Sequence, residues 1–206
     1  MTPDNLGQGQ SPIDISDWVQ SDATAPALTY ASEAMRVERS QGFVMIHFSR
    51  GSELHVGDES YRLLQLHWHT PAEHTVDGEE FEAEVHFIHA NENDELLVVG
   101  VMYRLGDPDE GLRQIIVESP PEGEEAGVVP ALLSAELAPR SDAFYHYVGS
   151  LTAAPFSEPV QWYLVQSPGT VSQRQVEQLQ ELTGGPNARP LQDRNGRTIV
   201  CVGCGS

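Results

Sequence analysis

Three histidines in the middle of the chain have the residue type and the spacing of a catalytic zinc site. They are His67 and His69, which are separated by one residue, and His86. Side chains alternate between the two faces of an extended strand, so His67 and His69 point to the same side and one cation can bind both. Zinc sites that perform chemistry typically use three protein ligands and leave a fourth position for water. The pattern therefore predicts a Zn²⁺ site formed by these three imidazoles.

Two polar residues are spaced to hold these imidazoles. Gln65 lies two residues before His67, and Glu84 lies two residues before His86, so each shares a strand face with its histidine. A hydrogen bond to the second ring nitrogen would fix the tautomer of a ligand histidine. For Glu84, an ordinary exposed strand residue is the alternative interpretation. The five other histidines of the chain are assigned to core or surface packing.

Most of the elements that must position these residues are predicted to be strands. Hydrophobic and β-branched patterning predicts strands over residues 43–47, 61–69, 81–89 and 96–103. The dipeptide Asp77-Gly78 predicts a tight turn, and with it a hairpin that pairs residues 73–76 with the strand at 81–89. Helical spacing predicts short helices over residues 110–118 and 172–182. Many strands with few helices indicate a large antiparallel or mixed sheet.

The composition indicates one acidic domain. The chain has 206 residues, 31 acidic against 11 basic side chains and a net charge of −20. Such a surface repels phosphate backbones and anionic lipid, so we expect neither a nucleic acid nor a membrane partner. No stretch reaches the roughly 20 apolar residues that cross a bilayer. A salt-adapted protein and an ordinary acidic protein both explain the charge, and both stay open.

The two cysteines, Cys201 and Cys204, form a CxxC pattern in the last six residues. We expect residues 201–206 to be an untethered tail. Two thiolates supply half of a structural zinc site, so a site completed by a second chain is one alternative, and a redox disulfide is another.

A series of motifs in register along the chain resembles those of the α-class carbonic anhydrases, particularly the bacterial type. They are residues 10–15, 65–69, 73–78, 83–89, 149–152, 160–162 and 187–190. The resemblance implies a mainly β, single-domain fold at residues 1–200, with a large twisted, mostly antiparallel central sheet and a few short peripheral helices. It also implies a conical cleft that reaches zinc, and reversible hydration of carbon dioxide to bicarbonate and a proton by a zinc-bound hydroxide.

The resemblance implies roles for individual residues besides the three ligands and their partners Gln65 and Glu84. Thr152 matches the hydroxyl that accepts a hydrogen bond from the zinc-bound hydroxide, and Glu73 matches the carboxylate that holds this threonine. The apolar wall where carbon dioxide rests is matched by Ile88, Val98, Leu151 and Trp162. Core packing is the alternative interpretation for this wall.

The chain departs from the family pattern where a product proton must leave. The most active members carry a relay histidine in a segment that corresponds to residues 40–43, which contain none here. A positioned proton-transfer group contributes on the order of 10² to 10⁴ in rate, so we expect moderate turnover that rises with buffer concentration. His47, which shares a strand face with Met45, is the candidate for a different relay.

A second departure concerns the loop after Thr152. Ala153 and Ala154 replace the usual threonine and proline, which affects the expected binding of bicarbonate and inhibitors but not of the metal. Many bacterial and secreted relatives tie this loop to the start of the chain with a disulfide, and Phe156 stands at one of its two positions here. We therefore expect the mouth of the site to be held by packing alone.

Two other functions compete with carbon dioxide hydration. One is a catalytically inactive carbonic-anhydrase-like binding module, although such relatives lose metal histidines that this chain keeps. The other is a zinc hydrolase acting on esters. Bacterial relatives are often dimeric, so a homodimer stays open. The compartment also stays open. Met1 without a leader fits a cytoplasmic protein, and it fits equally well a periplasmic or extracellular protein whose leader was trimmed.

Overall fold

A mixed β-sheet organises the protein and has 13 strands in the part of the chain that the structure describes. The computed structural model describes residues 7–31, 34–127, 138–139 and 141–204. The strands in this part of the chain are β1 (Asp14–Ile15), β2 (Val19–Ser21), β3 (Ala27–Thr29), β4 (Ala34–Ser40), β5 (Phe43–Phe48), β6 (Glu53–Val56), β7 (Glu59–His69), β8 (Thr75–Val76), β9 (Ala83–Ala90), β10 (Leu96–Leu105), β11 (Glu125–Gly127), β12 (Phe144–Gly149), β13 (Val160–Val165), β14 (Gly169–Val171) and β15 (Val200–Val202). The helices there are α1 (Glu110–Glu118) and α2 (Gln173–Thr183).

The path through the sheet runs β11-β4-β5-β7-β9-β10-β13-β12-β15-β2, with β14 beside β10 and β6 joining β3 to β7. Most neighbouring strands are antiparallel, and the central strand β9 is antiparallel to both β7 and β10. Parallel pairs occur between β10 and β13, β10 and β14, and β15 and β2. The predicted fold class, a large and mostly antiparallel sheet with few short helices, is confirmed.

Alternating side chains of the central strands divide the sheet into two apolar faces. On β7, Leu66 and Trp68 lie in the larger apolar cluster, which also receives Phe87 from β9. Ile88, the next residue on β9, lies in the smaller cluster. Each such fully buried side chain stabilises the fold by about 1.5–3 kcal/mol. The histidines of β7 alternate with Leu66 and Trp68, so they face away from the larger cluster.

Local capping explains the ends of both helices. Asp109 caps α1 by accepting a hydrogen bond from Leu112 N at 2.7 Å, and the helix has the predicted bounds. Ser172 forms a capping box with Gln175 at the start of α2, and Gly184 ends that helix with a φ of 78°. Neither described helix is long and apolar enough to cross a membrane.

The predicted hairpin around residues 73–89 is wrong, although its turn is present. Asp77 and Gly78 have positive φ angles of 49° and 76°, as a tight turn requires. Only one isolated bridge, between Val76 and Glu79, follows from that turn. β9 already pairs with β7 and β10 on its two sides, so it has no free edge for β8. β8 pairs instead with β1, in parallel.

The prediction of an untethered tail is also wrong as far as residue 204. β15 lies between β12 and β2 in the sheet. Cys201 is fully buried on this strand, and it forms a disulfide with Cys204. The apolar run that includes Ile199 and Cys201 packs in the smaller cluster. The free energy gained by burying this run exceeds the conformational entropy that the segment loses when it is ordered.

Candidate metal centre

His67, His69 and His86 meet on one side of the sheet because β7 and β9 are neighbours in antiparallel register. His67 lies directly opposite His86 in this pairing. The potential ligand atoms of the three rings all lie within 4.8 Å of one another. His69 and His86 are 1% exposed and His67 is 9% exposed, so the rings form a buried cluster. The structure thus brings together the three histidines that the sequence selected.

One nitrogen of each ring is held by a hydrogen bond to the protein. The three bonds are His67 Nδ1 to Gln65 Oε1 (3.0 Å), His69 Nδ1 to the Asn187 carbonyl (3.3 Å) and His86 Nε2 to Glu84 Oε1 (2.9 Å). Each bond fixes a ring orientation and directs the second nitrogen toward the centre of the cluster. Of these, His69 Nε2 is buried and has no hydrogen-bond partner among the described residues. An orphaned nitrogen of this kind fits a metal ligand.

The electrostatics of the cluster also fit a cation. Burial lowers the pKa of His67 well below its usual value, and burial lowers the pKa of His69 to about 3. Burial acts in the same direction on the pKa of His86, but the Glu84 carboxylate outweighs it and raises that pKa. His67 and His69 are therefore neutral at physiological pH, as metal ligands must be. Three imidazole donors with no thiolate suit Zn²⁺.

Glu84 is the centre of a buried hydrogen-bond network, and not the exposed strand residue of the alternative interpretation. Its Oε1 accepts hydrogen bonds from His86 and from His74 Nδ1 at 2.8 Å, and its Oε2 accepts the backbone N–H groups of Glu73 and His74. Burial alone would raise the pKa of Glu84, but the adjacent imidazoles lower it well below its usual value. His74, which the sequence assigned to packing, is therefore part of the support of the site.

Glu73 and Thr152 lie together beside the histidine cluster. Glu73 is 3% exposed, and its Oε1 accepts the backbone N–H of Arg189 at 2.8 Å. Burial raises the pKa of Glu73, and the nearby Thr152 hydroxyl acts against this rise. Nevertheless, no described group forms a hydrogen bond of normal geometry with Glu73 Oε2. This oxygen is the acceptor that remains available to Thr152.

A cavity of about 150 Å³ opens beside two of the imidazoles. Its lining consists of Gln65, His67, His86, Ile88, Leu96, Leu151, Thr152, Ala153, Ala154 and Trp162. Of the four residues predicted to form an apolar wall, Ile88, Leu151 and Trp162 therefore line this cavity. A larger groove of about 680 Å³ lies at the surface around residues 50–62 and 90–93, and its lining contains none of the predicted site residues.

The structure does not place Val98 on the cavity surface. Val98 lies in register between Ile88 and Trp162, but it is fully buried in the apolar cluster that contains both of them. Leu96, two residues earlier on the same face of β10, lines the cavity instead. The alternation of strand side chains could have indicated Leu96 as well as Val98.

His47 is bound to a carboxylate and does not line the cavity. Its Nε2 lies 3.2 Å from Glu38 Oε2 on the neighbouring strand. Residues 40–43, which the resemblance matched to a relay segment, include Phe43, whose ring stands edge-on to His67 and His69 at 5.5 Å from each.

Asn187 contacts the histidine cluster, although its role at the site was not predicted from the sequence. Its carbonyl holds His69, and its side-chain Oδ1 accepts the backbone N–H of Thr70 at 2.9 Å. Its Nδ2 donates to the carbonyls of Gly42 and Trp68 at 3.0 and 3.1 Å. A backbone carbonyl carries no residue-type signal, so only the three-dimensional arrangement shows this contact.

A sheet that brings three imidazoles together beside an apolar cavity defines a class of metal-dependent β-sheet enzymes. Comparison with known proteins narrows this class. The model of the eukaryotic-type carbonic anhydrase family matches residues 1–202. The carbonic anhydrase of Pectobacterium atrosepticum is 30% identical over 195 residues, which cover 94% of this chain and 80% of that protein. The chain belongs to the eukaryotic-type carbonic anhydrase family, and its activity is the hydration of carbon dioxide.

Solved structures agree with this assignment. The α-carbonic anhydrase of Photobacterium profundum has a TM-score of 0.90 and 34% identity, with 95% of this chain and 90% of that chain covered. A structure of dioscorin complexed with ascorbate has a TM-score of 0.86 and 29% identity, with 97% and 88% covered. The predicted resemblance to carbonic anhydrases is confirmed.

Proposed function

We propose that the protein hydrates carbon dioxide reversibly with a zinc ion held by His67, His69 and His86. The observation that carries this proposal is the convergence of three buried imidazoles, each with one nitrogen held by the protein and the other directed to a common point. When bound, zinc supplies a Lewis acid that turns water into a nucleophile at neutral pH, the chemistry for which carbonic anhydrase is the standard example.

In this proposal, Thr152 and Glu73 orient the attacking group. We assign to the Thr152 hydroxyl the donation of its hydrogen to Glu73 Oε2, a buried oxygen without a hydrogen-bond partner of normal geometry among the described residues. A hydroxyl group has one hydrogen to donate, so the Thr152 oxygen can then only accept from a group in the cavity. This restriction directs the O–H of the nucleophile toward Thr152 and a lone pair toward the substrate.

The apolar lining suits an uncharged substrate. Ile88, Leu151 and Trp162 offer carbon dioxide a surface without strong hydrogen bonds, close to His67 and His86. Ala153 and Ala154 add no side-chain donor for the bicarbonate anion. We infer that substrate is held loosely and that the charged product leaves readily.

The proton is transferred to buffer in solution. His67 and His86 are the histidines in the described lining of the cavity, and both are assigned to the metal. A cavity without a further titratable relay makes proton release slow, which supports moderate turnover.

The alternative is a binding module without catalysis. The similarity to dioscorin supports considering it, because the same fold occurs in a protein whose structure was solved with ascorbate. The complete set of three imidazoles together with Glu73 and Thr152 favours catalysis. Ester cleavage at the same centre would be incidental, since the cavity of about 150 Å³ is small for a dedicated acyl pocket.

Stopped-flow measurement of carbon dioxide hydration over a range of buffer concentrations, with zinc content and ester cleavage measured on the same sample, tests the proposal. We expect one zinc ion per chain and a hydration rate that rises with buffer concentration. A folded, zinc-loaded protein without hydration activity would support the binding module instead.

A further inference from the structure

The loop that carries Thr152 turns back on itself after the cavity. Leu151 N donates to the Ser157 carbonyl at 3.0 Å, and Phe156 N donates to the Ala153 carbonyl at 2.8 Å. Phe156 has a φ of 61°, in the left-handed region that residues other than glycine seldom adopt. Such a conformation is unfavourable for a residue with a side chain and persists where surrounding contacts hold it. The contacts that hold Phe156 therefore matter for the shape of this loop.

Arg189 contacts the ring of Phe156. The centre of its guanidinium group lies 4.0 Å from the centre of the Phe156 ring, within the range of a cation–π interaction. The same guanidinium donates through Nη1 to Gln10 Oε1 at 2.9 Å and to the Ser11 carbonyl at 2.7 Å. The backbone N–H of Arg189 holds Glu73 Oε1 at 2.8 Å. One residue thus touches the loop, the N-terminal segment and the carboxylate that faces Thr152.

The N-terminal segment closes the arrangement from the other side. Gln10 Nε2 donates to the Phe156 carbonyl at 3.3 Å and also to Glu158 Oε1. Gly9 N donates to Glu158 Oε2 at 3.2 Å. Gln10 itself is 6% exposed, whereas its partner Glu158 lies at the surface. The expectation that packing alone holds the mouth of the site is therefore wrong, because directed polar contacts join the loop to the N-terminal segment.

We propose that Arg189 and Phe156 are positioning residues for the Thr152–Glu73 pair. The stack fixes the loop from the side of Phe156, while the backbone of Arg189 fixes the carboxylate that Thr152 faces. The planar guanidinium suits this double contact, since it lies over the ring and donates to Gln10 from a rigid fork of N–H groups, whereas a lysine ammonium is a compact point charge on a flexible stem. The inference rests on the proposed function, because it concerns the same site.

A double-mutant cycle isolates the stack. Its variants are Arg189→Lys, Phe156→Leu and the combination of both. Leucine keeps the left-handed backbone cost and an apolar side chain but removes the ring face. Phe156→Tyr keeps the ring and serves as the conservative variant. Arg104→Lys is the matched control, because Arg104 lies over the ring of Phe81 at 5.3 Å and neither residue belongs to the described lining of the cavity.

The primary measurement is amide hydrogen exchange of Leu151 and Phe156, recorded without reference to activity. We expect each single substitution to speed exchange of these amides by about 3- to 30-fold, the range of a partly buried cation–π contact. In the double variant, these amides should exchange no faster than in the more affected single variant. Phe156→Tyr should match the wild type, exchange on β9 should stay unchanged in all variants, and Arg104→Lys should leave the loop amides unchanged.

The kinetic measurement separates positioning from general stability. In Arg189→Lys and Phe156→Leu we expect kcat/KM for hydration to fall by a factor similar to the increase in the exchange rate of the loop amides. Zinc affinity should stay unchanged. Additive effects of the two substitutions, or unchanged loop exchange in both single variants, would overturn the proposal. A wild-type protein without hydration activity would contradict the proposed function alone. The double-mutant cycle, read by hydrogen exchange, would still test the contact between Arg189 and Phe156.

Discussion

The backbone carbonyl of Asn187 accepts a hydrogen bond from His69 Nδ1 at 3.3 Å, although the two residues are 118 positions apart. The amide side chain of Asn187 is fully used in placing this carbonyl, because it bonds to Thr70, Gly42 and Trp68. The orientation of one metal-facing imidazole thus depends on a segment remote in sequence.

We predict that Asn187→Ala weakens zinc binding by about 10- to 100-fold, because loss of a partner of a ligand histidine typically has this effect. Competition with a chelator measures the affinity. Asn91→Ala is the control, since Asn91 makes similar side-chain hydrogen bonds to Asn93 and Glu95 in an exposed turn. Equal zinc affinity of both variants would show that the Asn187 side chain does not place the carbonyl.

His67→Ala is predicted to lose both zinc and hydration activity, because two imidazoles cannot replace a three-ligand site. Metal analysis and stopped-flow hydration measure the two losses. His55→Ala is the control, as His55 is an exposed histidine paired with Glu53 away from the cluster. Full activity of His67→Ala would refute the assigned site.

Thr152→Ala is predicted to lower kcat/KM by about 10²-fold, the usual effect of removing one orienting hydrogen-bond group from an active site. Zinc affinity should not change, because Thr152 is not among the converging imidazoles. Thr152→Ser keeps the hydroxyl and should retain most of the activity. A serine variant as slow as the alanine variant would contradict an orienting role of the hydroxyl.

Proton release provides a further test. We expect His47→Ala to change the hydration rate by less than about twofold in dilute and in concentrated buffer, whereas a true relay contributes 10² or more. The reason is that the ring of His47 is bound to Glu38 and does not line the cavity. A large loss in dilute buffer that concentrated buffer restores would identify His47 as the relay.

The buried pair of Tyr30 and His89 predicts a pH dependence of stability. Burial lowers the pKa of His89 from 6.5 to about 4. Between these values the unfolded chain binds a proton that the folded protein does not, so the free energy of unfolding falls as pH drops through this window, by up to about 3 kcal/mol. Urea unfolding at several pH values measures the slope. His89→Gln should flatten it and His55→Gln should not; an unchanged slope in His89→Gln would contradict the assignment.

Much of the metal centre could be predicted because its signal is local. The spacing of His67 and His69 places both on one strand face, and Gln65 and Glu84 follow from the same alternation. The two helices were equally accessible, since helical spacing alone predicted one with its observed bounds and the other one residue early at each end.

The failures share a physical cause, which is competition between distant partners. The turn at Asp77-Gly78 favours a hairpin, but β9 pairs with β7 and β10 instead. Similarly, the backbone of Asn187 acts without any signal in its side chain. Such contacts depend on which strands become neighbours, and local patterning does not determine that.

The position of β15 has a consequence for the way the molecule must be made. Among the described strands, β2 has β15 as its ladder partner, and Gln20 bonds to Cys204 across 184 positions. During synthesis a ribosome releases residues in order, so β2 stays without this partner until β15 has emerged. Pairing of β2 therefore cannot precede the synthesis of β15, and nascent chains that stop short of β15 should be targets for chaperones.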